Sequence, residues 1–156
     1  MKLEHSPQFL VHAKALEPLL RQRKYYQAWS QDKLFAFLAW YWNRGLISFS
    51  IDALGQGHAV CLIRLFRRLE QMFDYSAHDP CGEFCFIELL VSDTPNGIAD
   101  CFQQLFASFG PQKVMIWDRA ERTERKTPRM YTWEQYLLLT SRLTYGLIES
   151  VKKEKC

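Results

Sequence analysis

An α+β fold is what this sequence predicts: a mixed, twisted sheet of five or six strands with helices on its faces. Three observations lead there. Apolar residues recur at helical spacing over the first 44 positions, then switch to alternation from Leu46. A strand, an amphipathic helix and a second strand follow one another within residues 84–118. The chain of 156 residues is 48% apolar and 15% aromatic, enough for a packed core and far from a disordered composition. At this length one domain, residues 1–156, is the expectation.

Ser6-Pro7 reads as a helix start, because proline is tolerated at the first helical position. Phe9, Leu10, Ala13 and Leu16 then keep helical spacing until Pro18, where a break is expected. A second helix runs from Ser30, a good N-cap, to Asn43, with Gly45 as terminator. From Leu46 to Asp52 the residues Ile47, Phe49 and Ile51 alternate with Ser48, Ser50 and Asp52, a half-buried strand. The turn Gly55-Gln56-Gly57 joins it to a second strand, His58 to Phe66, making a β-hairpin. Residues 67–83 carry no clear period.

Phe84 to Val91 is the strongest strand pattern, apolar on both faces except for Glu88. Turn chemistry follows in Pro95 and Asn96-Gly97. Ile98, Cys101, Phe102, Leu105, Phe106 and Phe109 then define an amphipathic helix, which Gly110-Pro111 ends before a short strand, Val114 to Trp117. This strand–helix–strand unit predicts parallel neighbouring strands. After a basic loop, Thr132 and Gln135 form a capping box for a helix to about Val151.

Charge excludes little by itself. The net formal charge is +3, too mild to indicate nucleic acid, which the sequence disfavours as a partner. Basic residues do cluster at 119–129 and at Arg64, Arg67 and Arg68, and a solvated surface explains both clusters. No apolar run reaches the ~20 residues of a membrane span. The N-terminus lacks a hydrophobic signal core, so a cytoplasmic chain is expected. Five cysteines without framework spacing suit a reducing compartment. Cys81 and Cys85, with His58 and His78, lack zinc-ligand spacing, so no metal is expected.

Glu88 is the first candidate for chemistry. It sits on the strand face of Phe84, Phe86 and Leu90, and burial there disfavours the charged carboxylate. Two readings stand side by side: a structural pair with Arg64, or a tuned acid or base. The second candidate is the turn Thr94-Pro95-Asn96-Gly97-Ile98-Ala99. A helix N-terminus after a strand offers free N–H groups and a positive dipole end, suited to phosphate.

Phe86-Ile87-Glu88, then Asn96-Gly97, then Trp117-Asp118-Arg119 resemble the toxin-activating lysine acyltransferases (HlyC-like), which carry a GNAT-type fold. That family reads Phe-Ile-Asp, Asn-Gly and a hydrophobic-Asp pair at the same spacings. Gly97-x-Ala99 also matches half of the GNAT phosphate-binding motif, with Thr94 where Arg or Gln is usual. Leu34-Phe35 and the hairpin resemble the family upstream. Pro128-Arg129-Met130 echoes a later element of the family.

The resemblance implies a GNAT-like fold and transfer of an acyl group to a lysine of a protein substrate. No cofactor would be bound. The donor would be acyl-acyl carrier protein or acyl-coenzyme A, held through Asn96, Gly97, Ile98 and Ala99. Glu88 stands at the catalytic acid's position, with Glu for Asp. Arg119, Arg122, Arg125 and Arg129 would meet the acidic acyl carrier protein. One position departs: Gln27 falls where the family has its catalytic histidine, and His12 could substitute only through different helix packing. The competing reading is a non-catalytic GNAT-like module that binds a protein partner. Either is compatible with a homodimer.

Overall fold

The computed structural model describes residues 5–74, 76–109, 114–117 and 129–132. They form an α+β fold built on a five-stranded sheet in the order β1-β2-β3-β4-β5. Two helices and a single helical turn precede it: α1 Pro7–Leu20, α2 Lys24–Gln27 and α3 Gln31–Arg44.

In α1 the Ser6 hydroxyl accepts the Phe9 amide at 3.2 Å, and Pro7 sits in the first turn. The expected break at Pro18 does not occur, and the helix runs through it to Leu20. Proline forfeits one amide bond there, but the Leu19 and Leu20 beyond it are fully buried. The Arg21 amide closes the last turn on the Glu17 carbonyl at 3.0 Å. The turn α2, which the sequence pattern did not reveal, is tied back by Arg21, whose guanidinium donates to the carbonyls of Tyr26 (2.8 Å) and Trp29 (2.6 Å). Ser30 caps α3 by accepting the Lys33 amide at 3.1 Å. Gly45 ends it at φ 68°, a left-handed conformation that glycine adopts without a Cβ penalty.

The hairpin follows as expected: β1 Ile47–Ile51 and β2 Gly57–Phe66, antiparallel. The indeterminate stretch 67–83 contains a 3-10 turn, Leu69–Phe73. Next come β3 Phe84–Ser92, antiparallel to β2, then α4 Pro95–Phe109 and β4 Val114–Trp117, parallel to β3. The strand–helix–strand reading of residues 84–118 therefore holds. A fifth strand, β5 Arg129–Thr132, pairs antiparallel with β4. Arg129 is thus a strand residue opposite Trp117 rather than part of a loop. The helix expected from Thr132 to about Val151 falls almost wholly outside the described residues, which include Thr132 alone, as the end of β5.

Helices cover both faces of the hairpin. The Phe49 ring packs on His12 of α1 and Trp42 of α3, with centroids 4.9 and 6.2 Å away. Its neighbour Ser50 hydrogen-bonds Asp100 of α4 at 2.9 Å. Successive strand residues point to opposite faces, so α1 and α3 lie on one side and α4 on the other. At the free edge of β1, the Gln104 side-chain amide accepts from the Phe49 N–H (3.2 Å) and donates to the Phe49 carbonyl (2.7 Å).

Two bulges interrupt the alternation that the sequence suggests. Ser50 pairs with Ala59 and Ile51 with Gly57, leaving His58 as the extra residue of β2. Leu62 pairs with Leu89 and Ile63 with Ile87, leaving Glu88 as the extra residue of β3. Cross-strand partners share a face, and the adjacent Leu62 and Ile63 lie on opposite faces. Hence Leu90, expected beside Phe84 and Phe86, turns to the other face.

Candidate functional site

Glu88 projects beside Arg64, whose guanidinium Nε donates to Glu88 Oε2 at 3.1 Å. The Arg64 side chain is 0% exposed and that of Glu88 11%. Of the two expectations for Arg64, the pair with Glu88 is found and the basic surface with Arg67 and Arg68 is not. Strand alternation turns Arg64 inward instead, while Arg67 stays exposed and pairs with Asp79 at 2.6 Å. The remaining Arg64 nitrogens bind backbone carbonyls: Gln71 (3.2 Å), Met72 (2.6 Å), Ala77 (3.4 Å) and Asp74. The rings of Phe66 and Phe86 lie 5.8 and 5.2 Å from the guanidinium carbon. Burial raises the Glu88 pKa above the usual carboxylate value, although Arg64 pulls the other way by charge and hydrogen bond. Desolvation wins, and the carboxylate is a stronger base than a solvated glutamate.

Beyond Glu88, β3 has no second strand neighbour among the described residues. Its pairing with β4 covers Phe84 to Ile87 only. The Asp93 amide donates to the His58 carbonyl at 2.9 Å. Backbone groups of alternate residues point to alternate edges, so those of Leu90 and Ser92 face away from β2. Among the described residues no strand meets them. The Leu90 carbonyl instead accepts the Arg23 guanidinium at 2.8 Å, and among the described residues no carboxylate pairs with Arg23.

This edge leads straight into α4. Ser92 Oγ donates to the Thr94 carbonyl at 2.5 Å, and Thr94 Oγ1 accepts the Gly97 amide at 3.0 Å. Helix α4 thus begins two residues before Gly97, with Thr94 as cap and Pro95 in its first turn. The Ser6-Pro7 pattern of α1 repeats there, and it was the available signal. Asn96 is exposed, Ile98 and Ala99 are half-buried, and Ile98 packs on the core. Gly97 is buried, its amide already taken by Thr94. A Cβ there would lie 2.8 Å from both Ala59 Cβ and Ser92 Oγ. The glycine is therefore demanded by helix–sheet packing, whatever else the turn does.

His12, the only alternative for the absent family histidine, is not brought to Glu88. It lies at the β1 edge, two strands away, which is about 10 Å at ordinary strand spacing. There it donates through Nδ1 to the Gln8 carbonyl at 2.8 Å. It lines a groove of about 620 Å³ with Phe49, Ser50, Asp100 and Gln104. Gln27 is exposed in α2.

A second polar cluster escaped sequence reading. His58 Nε2 lies 2.8 Å from Asp52 Oδ2 and Nδ1 lies 3.1 Å from Asp93 Oδ1. The bulge that turns His58 toward both has no local sequence mark.

Among the described cysteines, Cys61, Cys85 and Cys101 are buried. Burial pushes the Cys61 thiol well above its ordinary pKa and Cys101 up to about 12, while Cys81 is exposed and apart. Among the described residues no group of three His, Cys, Asp or Glu side chains is placed to hold a metal ion. Arg119, Arg122 and Arg125 lie outside them. No described helix is long and apolar enough to cross a membrane. No family model matches the chain, and neither a curated protein nor a solved structure matches it.

Proposed function

We propose that this chain is a GNAT-like protein lysine acyltransferase, with acyl-acyl carrier protein or acyl-coenzyme A as donor. One observation carries the reading: between the Glu88 bulge and the capped start of α4, one edge of β3 has no strand partner among the described residues. From Glu88 to Thr94 that edge spans roughly 20 Å at ~3.3 Å per residue. An extended phosphopantetheine arm fits such a length. Its amides would bond the edge, and its phosphate would meet the first turn of α4, where the Asn96 N–H and the positive end of the helix favour an anion. β4 ends at Trp117 and β5 begins opposite it at Arg129, and Arg119, Arg122 and Arg125 fall between them in the sequence. That is the sheet end toward which β3 also runs, a natural place for an acidic carrier.

In this mechanism the ionised Glu88 takes a proton from the acceptor lysine's ammonium. The freed amine attacks the thioester carbonyl, a C–N bond forms and the C–S bond breaks. The second N–H proton leaves with the thiolate, giving amide and thiol, and Glu88 returns its proton to water. The raised pKa of Glu88 suits it to the first step.

A second reading, a non-catalytic module binding a protein partner, is favoured by the Arg64–Glu88 pairing and by Gln27 in place of a histidine. Mass spectrometry after mixing with acyl carrier proteins loaded with different chains separates the two. Under the first reading acyl-lysine forms, and Glu88→Gln lowers the rate by about 10²–10⁴-fold, the usual share of a general base, without unfolding the protein. Absence of transfer with every donor, or an unchanged rate in Glu88→Gln, leaves the module.

A further inference from the structure

The His58 imidazole faces a carboxylate oxygen at each ring nitrogen, at 2.8 and 3.1 Å. Ionised carboxylates only accept hydrogen bonds. Each nitrogen must therefore carry a hydrogen, and a ring with two N–H groups is an imidazolium. The two carboxylates come from different places: Asp52 from the β1–β2 turn and Asp93 from the connection between β3 and α4. They are the charged groups acting on the ring. Helix α1 reaches this end of β2 through the backbone of Ala15 beside Gly57.

The two partners are not equally anchored. Asp52 Oδ1 also accepts the Leu54 and Gln56 amides at 2.9 and 3.0 Å. Among the described residues no such bond ties the Asp93 side chain, which is 39% exposed. A neutral imidazole has one N–H and can serve one carboxylate. It keeps the anchored Asp52 and lets Asp93 go. Asp93 immediately precedes Thr94, the cap of α4.

We propose that His58 is a positioning residue: a protonated clamp between hairpin turn and β3–α4 connection that holds the first turn of α4 in place and releases it on deprotonation. For what binds at that turn, the inference rests on the acyl-donor reading above. Hydrogen bonds donated to Asp52 and then to Asp93 raise the His58 pKa against a smaller opposing effect of burial. The sign follows: the clamp is complete below the ordinary histidine value and is lost as pH rises through the raised one.

The test is a pH titration of the whole chain by NMR, without ligand, following the His58 ring and the backbone amides of residues 93, 94 and 96–98. The ring should titrate above the ordinary value of an exposed histidine, the amides should follow with the same midpoint, and Asp93→Asn should lower it. A midpoint at or below the ordinary value, or amides indifferent to it, overturns the clamp. A second arm titrates coenzyme A at pH values on either side of the midpoint. Binding should weaken several-fold above it, and in Asp93→Asn that dependence should vanish. Binding that ignores the midpoint overturns the link to the α4 turn. If the NMR arm holds and neither coenzyme A nor acyl carrier protein binds at any pH, the acyl-donor reading falls while the clamp stands.

Discussion

Glu88 and His58 are each the extra residue of a β-bulge, and the two bulges treat an ionisable side chain in contrasting ways. Around Glu88 the bulge turns a carboxylate inward against a wholly buried arginine. Around His58 it turns an imidazole outward between two half-exposed aspartates. In the first case desolvation governs the protonation state and opposes the neighbouring charge. In the second, the hydrogen bonds His58 donates to its neighbours outweigh burial. The same backbone irregularity thus yields a stability element within β3 and a pH-sensitive one near the start of β2.

The largest expected effect breaks the buried side. Arg64→Met removes the donor to four loop carbonyls and leaves Glu88 without its counter-charge. Loss of one partner of a buried pair costs roughly 3–5 kcal/mol, readable in urea unfolding. Early proteolytic nicking within residues 71–79 should accompany it. A loss below about 1 kcal/mol, the range of an exposed pair, would mean that the two bulges differ little.

Gly97→Val tests the other side, because Gly97 packs on Ala59 and Ser92, the neighbours of His58 and Asp93. A side chain must displace one of them, and overpacking of this kind costs about 1–3 kcal/mol. Thermal melts without any donor should already show the loss. An unchanged melting temperature would mean that α4 can lift off the sheet freely.

Glu88→Gln should give the smallest change, about 1 kcal/mol, since the amide oxygen can still accept from Arg64 Nε. Its signature is the pH dependence. A raised folded pKa gives stability that is present below the unfolded value and lost as pH rises through the folded one. The native protein should carry that acid-range slope and the variant should lack it, by urea unfolding at several pH values. Equal slopes would move Glu88 into the solvated class to which the aspartates around His58 belong.

Much of this architecture was legible in the sequence because it follows local rules. Ser30 and Gly45 bracket α3, and the change of period marks the hairpin and the strand–helix–strand unit. Single-residue irregularities were hidden. A bulge at Glu88 or His58 leaves the composition of its strand unchanged and shows only in the register against a partner. Pro18 misled because the breaking rule weighs backbone alone, whereas the burial of Leu19 and Leu20 is tertiary. Arg64 reads as surface beside Arg67 and Arg68 until the carbonyls of residues 71–77, remote in pattern, close over it. The position of Glu88 was found as the lone charge in an apolar strand. The Asp52–His58–Asp93 cluster was not, since its members are scattered polar residues brought together by two turns.

Gln104 has a consequence for how this protein behaves among its own copies. A bare outer strand is an invitation to another chain, and β1 carries the mostly apolar run Ile-Ser-Phe-Ser-Ile. By occupying both backbone groups of Phe49, one side chain from α4 occupies the place where a foreign strand would begin to zip. Helix and outer strand are therefore joined in solubility as well as in packing: whatever loosens α4 also unseals the β1 edge to other chains. A chain that needed movement in that helix would accept some risk of aggregation with it.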